Sequence, residues 1–293
     1  MRSSLWPLFI SLRPTHWVKN SLVFVPGVFS HQIFDSTVIY QSFCAFAAFC
    51  FTASAGYMIN DLIDIKSDRT HPVRKYRPLA SGKLSGFAAV GSIILLIVLA
   101  LSIGAGISKT FLGLILFYLV VTVLYSVFLK KLVLLDTVIL ACLLSVRLFA
   151  GSVATQIVIS KWLMSFSLFF FLSLAVLKRY VGLLHLTRTQ DHGRGYLAQD
   201  ASILSVIGSG SGLISVLVLS LYINGYQTSS LYPNSYLLWG LCILVFYWVG
   251  RIWILASRKI ISDDPVAFVI RDIASYFVFG SAALILFGAS LKF

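Results

Sequence analysis

A chain of 293 residues that is 59% hydrophobic and only 11% charged, with a mean hydropathy of +0.93, is too apolar for a water-soluble domain. Its 14% aromatic content suits a polytopic membrane protein with rings at the lipid–water interfaces. The net charge of +13 sits in short loops between apolar runs, which excludes nucleic acid as the partner and favours anionic membrane lipid and phosphorylated substrates.

Near-continuous apolar stretches at about 20–34, 37–60, 84–107, 111–129, 132–153, 161–177, 203–223, 235–257 and 274–291 predict nine membrane-spanning helices. They form a single all-α domain over residues 1–293. Pro26-Gly27 interrupts the first span, which is expected to kink or tilt. Met1–Pro7 carries no signal-peptide pattern ahead of Arg13 and Lys19, so insertion is expected to rely on internal spans. Cys44, Cys50, Cys142 and Cys242 lie inside apolar runs without metal-ligand spacing and read as small core residues. Nineteen of the 23 Lys and Arg lie in the N-terminal segment and in alternate loops, and nine of the ten acidic residues, all Asp, lie on that same side. The positive-inside rule then puts the N-terminus and those loops in the cytoplasm and the C-terminus outside the inner (plasma) membrane. Charge of both signs converges on the cytoplasmic face, where the chemistry is expected.

Ahead of the first span, Arg13-Pro14-Thr15-His16-Trp17-Val18-Lys19-Asn20 sets two cations and an indole at the interface, either as donors to phosphate or as lipid-surface anchors. The second span ends in Asn60-Asp61-Leu62-Ile63-Asp64-Ile65-Lys66-Ser67-Asp68. On a helix, Asn60, Asp64 and Asp68 are spaced i, i+4, i+8, and Asp61 lies three residues before Asp64, so all four side chains share one face. Pro72 cannot continue that helix and leads into Arg74-Lys75-Tyr76-Arg77. Carboxylates and a carboxamide are hard oxygen ligands of the kind Mg²⁺ takes, its shell completed by waters and substrate phosphates. The plainer reading is a helix end with solvated charges, but carboxylates at a membrane boundary beside cations point to a site. Arg74 and Arg77 either grip a phosphate whose charge the metal shares or set topology.

Tyr125-Ser126 and Leu129-Lys130-Lys131 close the fourth span, and Asp136, opening the fifth, is expected to pair with Lys130 or Lys131. Arg147 is a charge inside a span, either functional or snorkelling to the outer surface. The sixth span ends in Lys178-Arg179-Tyr180-Val181-Gly182, and the following loop carries Arg188, Asp191, His192 and Arg194 before Asp200. Opening with cations, this loop suits direct phosphate binding. His185 and His192, seven apart without a neighbouring Cys or third His, do not form a zinc site. Gly208-Ser209-Gly210-Ser211-Gly212 follows no strand and reads as a helix-packing surface. Asp263-Asp264 and Asp272 read as caps of the last helix.

Together these residues resemble the UbiA-type intramembrane prenyltransferase superfamily, whose first Asp motif stands here as Asn60-Asp61, Asp64 and Asp68. The likeness runs over nearly the whole chain. Within the superfamily, Arg13-Pro14 with Trp17-Val18-Lys19-Asn20, His71-Pro72 to Arg77-Pro78-Leu79-Ala80-Ser81-Gly82, Tyr125-Ser126 with Leu129-Lys130, and Lys178-Arg179-Tyr180 resemble the decaprenyl-phosphate phosphoribosyltransferase branch. The resemblance implies nine helices around a central cavity open to the cytoplasmic side. It also implies Mg²⁺-dependent transfer of 5-phosphoribose from phosphoribosyl pyrophosphate to a polyprenyl phosphate, with inversion at the anomeric carbon, release of pyrophosphate and a place in cell-envelope pentose supply. By carry-over, Asn60, Asp64 and Asp68 are the metal ligands and Asp61, Asp64 and Asp68 the candidate catalytic residues. The candidate substrate contacts are Arg13, Lys19, Arg74, Arg77, Tyr125, Lys130, Lys178, Arg179 and Tyr180. The implied partners are membrane lipids, the polyprenyl phosphate and the phosphorylated sugar donor; a homo-oligomer is left open. Two departures stand out: only Asp191 and Asp200 are available where aromatic prenyltransferases carry a second Asp-rich motif, and Gly182 follows Lys178-Arg179-Tyr180 where an acidic residue is expected. The alternatives are transfer of a prenyl group from its diphosphate to an aromatic or lipid acceptor, and transport of a phosphorylated lipid.

Overall fold

The computed structural model describes residues 5–184, 195–225, 228, 231–261 and 265–291. Inside a bilayer every backbone N–H and C=O has to be satisfied within the protein, and the described residues do this with helices and turns and no strand. In chain order the helices are α1 (Leu5–Leu12), α2 (Val25–Phe29), α3 (Ser36–Ile63), α4 (Ile65–Thr70), α5 (Gly86–Ile107) and α6 (Lys109–Val127). They continue as α7 (Leu135–Thr155), α8 (Lys161–Leu184), α9 (Ala201–Ile223), α10 (Trp239–Ser257), α11 (Pro265–Val269) and α12 (Ile273–Ser290). Among the described residues eight helices, α3, α5 to α10 and α12, are long and apolar enough to cross a membrane, so the chain is an all-α integral membrane protein.

The expected span at 20–34 is not one of the eight. Pro14–Phe24 winds as a 3-10 helix and Val25–Phe29 as a single short α-helix. Pro26 has no N–H to carry an α-ladder forward, and the 3-10 stretch begins at Arg13 in the left-handed region with φ 52°.

Helix starts are set by local caps. Asp35 Oδ1 accepts the N–H groups of Thr37 and Val38 at 2.8 and 3.1 Å to open α3. Ser108, fully extended, ends α5, and its Oγ accepts the Phe111 N–H at 3.1 Å to start α6, so a single residue joins the two helices.

The chain divides into two compact units: residues 1–130 with 146–159, and residues 131–145 with 160–293. In the first, α3 is the central element, with 61% of its apolar window buried against 22% for α5 and α6. Buried Ala45, Ala48, Ala53 and Ala55 let the neighbours approach α3 closely. Met58 of α3 packs with Leu79 and Leu84 of the following loop and with Leu96 of α5, which fixes the chain leaving the Asp motif. In the second unit, α9 packs between α8 and α10. A Cβ on Gly208 would lie 2.3 Å from the Trp253 ring and one on Gly212 would lie 2.4 Å from Val249, so the glycine–serine run is the packing surface its composition suggests.

Candidate active site

At Asp64 (φ −88°, ψ 5°) α3 closes, and α4 resumes one residue later. The Asp64 N–H still bonds to the Asn60 carbonyl at 2.9 Å and the Asp68 N–H to the Asp64 carbonyl at 2.8 Å, so the i, i+4 register survives the break. Asp61 and Asp68 consequently reach one guanidinium: Arg77 Nη1 donates to Asp61 Oδ1 at 3.1 Å and to Asp68 Oδ2 at 2.6 Å. Arg13 Nη2 donates to Asp61 Oδ1 at 2.5 Å, and Arg74 Nη1 lies 3.3 Å from Asp68 Oδ1. Lys130 Nζ donates to both oxygens of Asp64, at 2.7 and 2.8 Å.

The carboxylates of Asp61 and Asp68 are 3% and 1% exposed, whereas the Arg13, Arg74 and Arg77 side chains are 22%, 34% and 27% exposed. The arrangement is an acidic floor under a basic rim, and among the described residues Arg13, Arg74, Arg77 and Lys130 outnumber the three carboxylates. Local structure holds the rim in place. The Arg13 guanidinium stacks 5.0 Å over the Tyr57 ring, which meets His16 edge-on at 5.2 Å. Arg77 leaves the 3-10 turn Arg74–Tyr76, and the loop after it is tied back by the Arg69 Nε bond to the Ala80 carbonyl at 3.3 Å. Of the other expected contacts in this unit, Asn60, Lys19 and Tyr125 are half-buried, Lys19 on the 3-10 segment and Tyr125 in the last turn of α6.

The oxygens of Asn60, Asp64 and Asp68 suit a hard divalent cation. Asp68 Oδ1 is buried with a cation nearby but no hydrogen bond, the kind of oxygen that such an ion takes up. Among the described residues no three His, Cys, Asp or Glu side chains form a ready cage; Mg²⁺ takes one or two carboxylates plus waters and phosphates. The residues present fit that ion in company with substrate phosphate.

Deeper in the same unit, Arg147 is 4% exposed and does not snorkel. Its Nε donates to Asn20 Oδ1 at 2.7 Å and its Nη2 to the Tyr118 hydroxyl at 2.6 Å.

In the second unit Asp136, fully buried, accepts from Arg179 Nε and from the Tyr196 hydroxyl, both at 2.5 Å, and the Tyr196 oxygen accepts the Leu134 N–H at 2.9 Å. The expected pairing of Asp136 with Lys130 or Lys131 is therefore corrected: Lys130 serves Asp64, and the buried carboxylate takes a buried guanidinium that matches its geometry. Burial, and then the bond to Asp136, push the Tyr196 phenol well above the usual tyrosine range. Arg179 is 5% exposed, Lys178 is half-buried, and the Tyr180 ring tilts against Trp253 at 5.5 Å. Asp200 Oδ2 accepts the Leu197 N–H at 2.8 Å and so closes a turn. Asp272 caps α12 as expected, accepting the Ser275 N–H at 2.9 Å, while Arg251 grips it with two bonds at 2.7 and 2.9 Å. His185, Arg188, Asp191, His192, Arg194, Asp263 and Asp264 lie outside the described residues.

Tyr57 went unmarked in the sequence, although it sits one helical turn before Asp61 and so on the same face. Tyr118 and Tyr196 gave no such signal, since their partners are distant in the chain.

The profile of the UbiA prenyltransferase family matches residues 26–285. The chain belongs to the UbiA prenyltransferase family. The resemblance drawn from the Asp motif is borne out, and the fold agrees: a UbiA homologue from Archaeoglobus fulgidus, bound to GPP and Mg²⁺, superimposes with a TM-score of 0.67 at 16% identity, over 94% of this chain and 93% of that one. Among relatives, nodulation protein NoeC of Azorhizobium caulinodans is 31% identical over 284 residues, 95% of this UbiA chain and 89% of NoeC. Protein y4nM of Sinorhizobium fredii is 33% identical over 273 residues, 91% of this chain and 52% of y4nM. The decaprenyl-phosphate phosphoribosyltransferase of Corynebacterium glutamicum is 35% identical over 188 residues, 61% of this chain and 55% of that enzyme. The chain thus spans most of NoeC but about half the length of the other two.

Proposed function

We propose that this UbiA protein transfers 5-phosphoribose from phosphoribosyl pyrophosphate to a polyprenyl phosphate, at the cytoplasmic face of the membrane, for supply of a cell-envelope pentose. The observation that carries the reading is the basic rim of Arg13, Arg74, Arg77 and Lys130 over Asp61, Asp64 and Asp68. A purely structural ion-pair network would balance its charges; among the described residues this one has cation to spare on its more exposed layer, which suits a phosphorylated substrate. The likeness of 188 residues to a decaprenyl-phosphate phosphoribosyltransferase supports the choice of donor and acceptor.

In the reaction an oxygen of the acceptor phosphate bonds to the anomeric carbon, and the bond from that carbon to pyrophosphate breaks with its electron pair on the leaving group. The attacking phosphate is already an anion, so no residue has to remove a proton from it. Arg13, Arg74, Arg77 and Lys130 bind and orient the phosphates and meet the charge that grows on pyrophosphate. Asp61 and Asp68 hold Arg77 in place between them. Mg²⁺, held by Asn60, Asp64 and Asp68, would supply Lewis-acid neutralisation of the leaving pyrophosphate.

A second reading, transfer of a prenyl group from its diphosphate, draws on the A. fulgidus homologue bound to GPP and Mg²⁺. Against it, Asp200 is spent on closing a turn. The test is to incubate the purified protein with Mg²⁺, radiolabelled phosphoribosyl pyrophosphate and a polyprenyl phosphate, beside an Asp64→Asn variant. Label moving into the lipid phase, and lost with EDTA or in the variant, is the expected result. Consumption of an isoprenoid diphosphate with an aromatic acceptor, and no transfer of label, would overturn the reading.

A further inference from the structure

We propose that Arg147, which carries no chemistry in the reading above, is the positioning residue that sets the Pro14–Phe24 segment, with Lys19 on it and Arg13 at its head beside Asp61. An arginine 4% exposed within a membrane span costs several kcal/mol to insert unless its donors are used. Here two of those donors meet Asn20 and Tyr118. Nε donates to Asn20 Oδ1 at 2.7 Å, while Nη2 donates to the Tyr118 hydroxyl at 2.6 Å and the guanidinium lies 4.9 Å over the Tyr118 ring. Asn20, itself 1% exposed, spends its amide on Cys50 Sγ of α3 at 3.3 Å. The side chain of Asn20 is thus clamped between α7 and α3.

The clamp on Asn20 is one of three. One turn along α7 from Arg147, Gly151 lets the segment touch the helix backbone: a Cβ there would lie 2.2 Å from the Val23 carbonyl oxygen. Toward the start of the segment, Trp17 Nε1 donates to Ser54 Oγ at 3.1 Å, and that hydroxyl donates to the Leu12 carbonyl at 2.9 Å. Trp17, Asn20 and Val23 are spaced by three, which is the repeat of a 3-10 helix, so they stack on one face. An α-helix would turn these three positions progressively away from α3 and α7. The clamps therefore account for the winding of the segment as well as its place. Arg13 stands at the head of that segment, and Lys19 adjoins Asn20. Freeing the segment at Asn20 and Val23 loosens both cations without removing either.

The kinetic part of the test rests on the phosphate-binding reading above, so a second readout stands apart from it. Hydrogen exchange of the full-length protein in detergent is compared for Arg147→Met, Arg147→Lys, Gly151→Ala and the control Gly91→Ala, whose added Cβ meets nothing within 4 Å. Arg147→Met and Gly151→Ala are expected to raise exchange in peptides covering 14–24 by about tenfold or more, with α5 peptides unchanged. Arg147→Lys, which keeps the charge but not the fork that reaches both Asn20 and Tyr118, falls between, and the control matches wild type. In the transfer assay the two disruptive variants raise KM for the phosphorylated donor by about tenfold with kcat within about twofold. Unchanged exchange in 14–24 in both Arg147→Lys and Gly151→Ala would overturn the proposal, as would a lower kcat at unchanged KM. If Arg147→Met does not fold, those two variants decide. If the wild type transfers no phosphoribose, the functional reading fails while the exchange comparison still decides the role of Arg147.

Discussion

The carboxylates at Asp61 and Asp68 and the carboxylate at Asp136 are all buried and all bonded to arginine, yet they meet water differently. Around the Asp motif the cations keep between 15% and 34% of their side chains exposed, and among the described residues they outnumber the acids. Among the described residues Asp136 takes one guanidinium, 5% exposed, and a phenol that fills the second oxygen. The cations of the first arrangement face outward and can change partners, while Asp136 and Arg179 are both buried. Residue type alone does not separate a binding cluster from a structural one. Solvent access and charge balance do.

The largest effect that bears on this contrast is expected at the closed cluster. Asp136→Asn takes away the carboxylate that pairs with the buried Arg179, which costs about 3–5 kcal/mol. Thermal unfolding in detergent should show a large loss, with the fraction that remains folded still active. A small loss of stability together with abolished transfer would mean that this cluster, too, acts on substrate. Asp64→Asn at the open cluster should reverse the pattern, with transfer down about 10²–10³-fold and melting within a few degrees of wild type. Arg77→Lys keeps the charge on a shorter arm, so its nitrogen falls short of the point from which Nη1 serves both Asp61 and Asp68, and KM for the donor should rise by about tenfold.

Tyr196→Phe sharpens the description of the closed side. It removes a hydrogen bond to a charged acceptor, worth about 1.5–3 kcal/mol. Because the folded phenol titrates above its unfolded value of about 10, its contribution is complete below that pH and declines as pH rises beyond it. The gap in melting temperature between wild type and variant should therefore be constant from neutral pH to about 9 and shrink above about 10. The smallest effect is expected at Asp272, whose carboxyl is held below the usual range chiefly by its bond from Arg251 and then by Ser275. A depressed folded value means stabilisation above about pH 4 that is lost as pH falls further, so Asp272→Asn should cost a few degrees at neutral pH and less in acid.

Much of this was legible in the chain. Hydropathy and the scarcity of charge settled the membrane class, because burial of that much apolar surface has few other solutions. The i, i+4, i+8 placement of Asn60, Asp64 and Asp68 survives a helix break because the Asp64 and Asp68 N–H groups keep their i−4 partners. The serine and aspartate caps and the Gly208–Gly212 packing face follow from local geometry in the same way. These are properties of near neighbours in sequence, where spacing carries the information.

What the tertiary structure decided are the pairings over distance. Lys130 reaches Asp64 across 66 residues, and Arg147 reaches Asn20 across 127. Lys130 and Asp136 are six residues apart and both charged, yet each finds its partner elsewhere, because a buried carboxylate goes to the donor that packing buries with it. The first apolar run likewise looked like a span by hydropathy, which counts composition alone. Three clamps from α3 and α7, together with prolines at 14 and 26, break it instead into the end of a 3-10 helix and one short α-helix. Composition and spacing determined the class, the family motif and the ends of the helices; which cation serves which carboxylate depended on which side chains folding removes from water together.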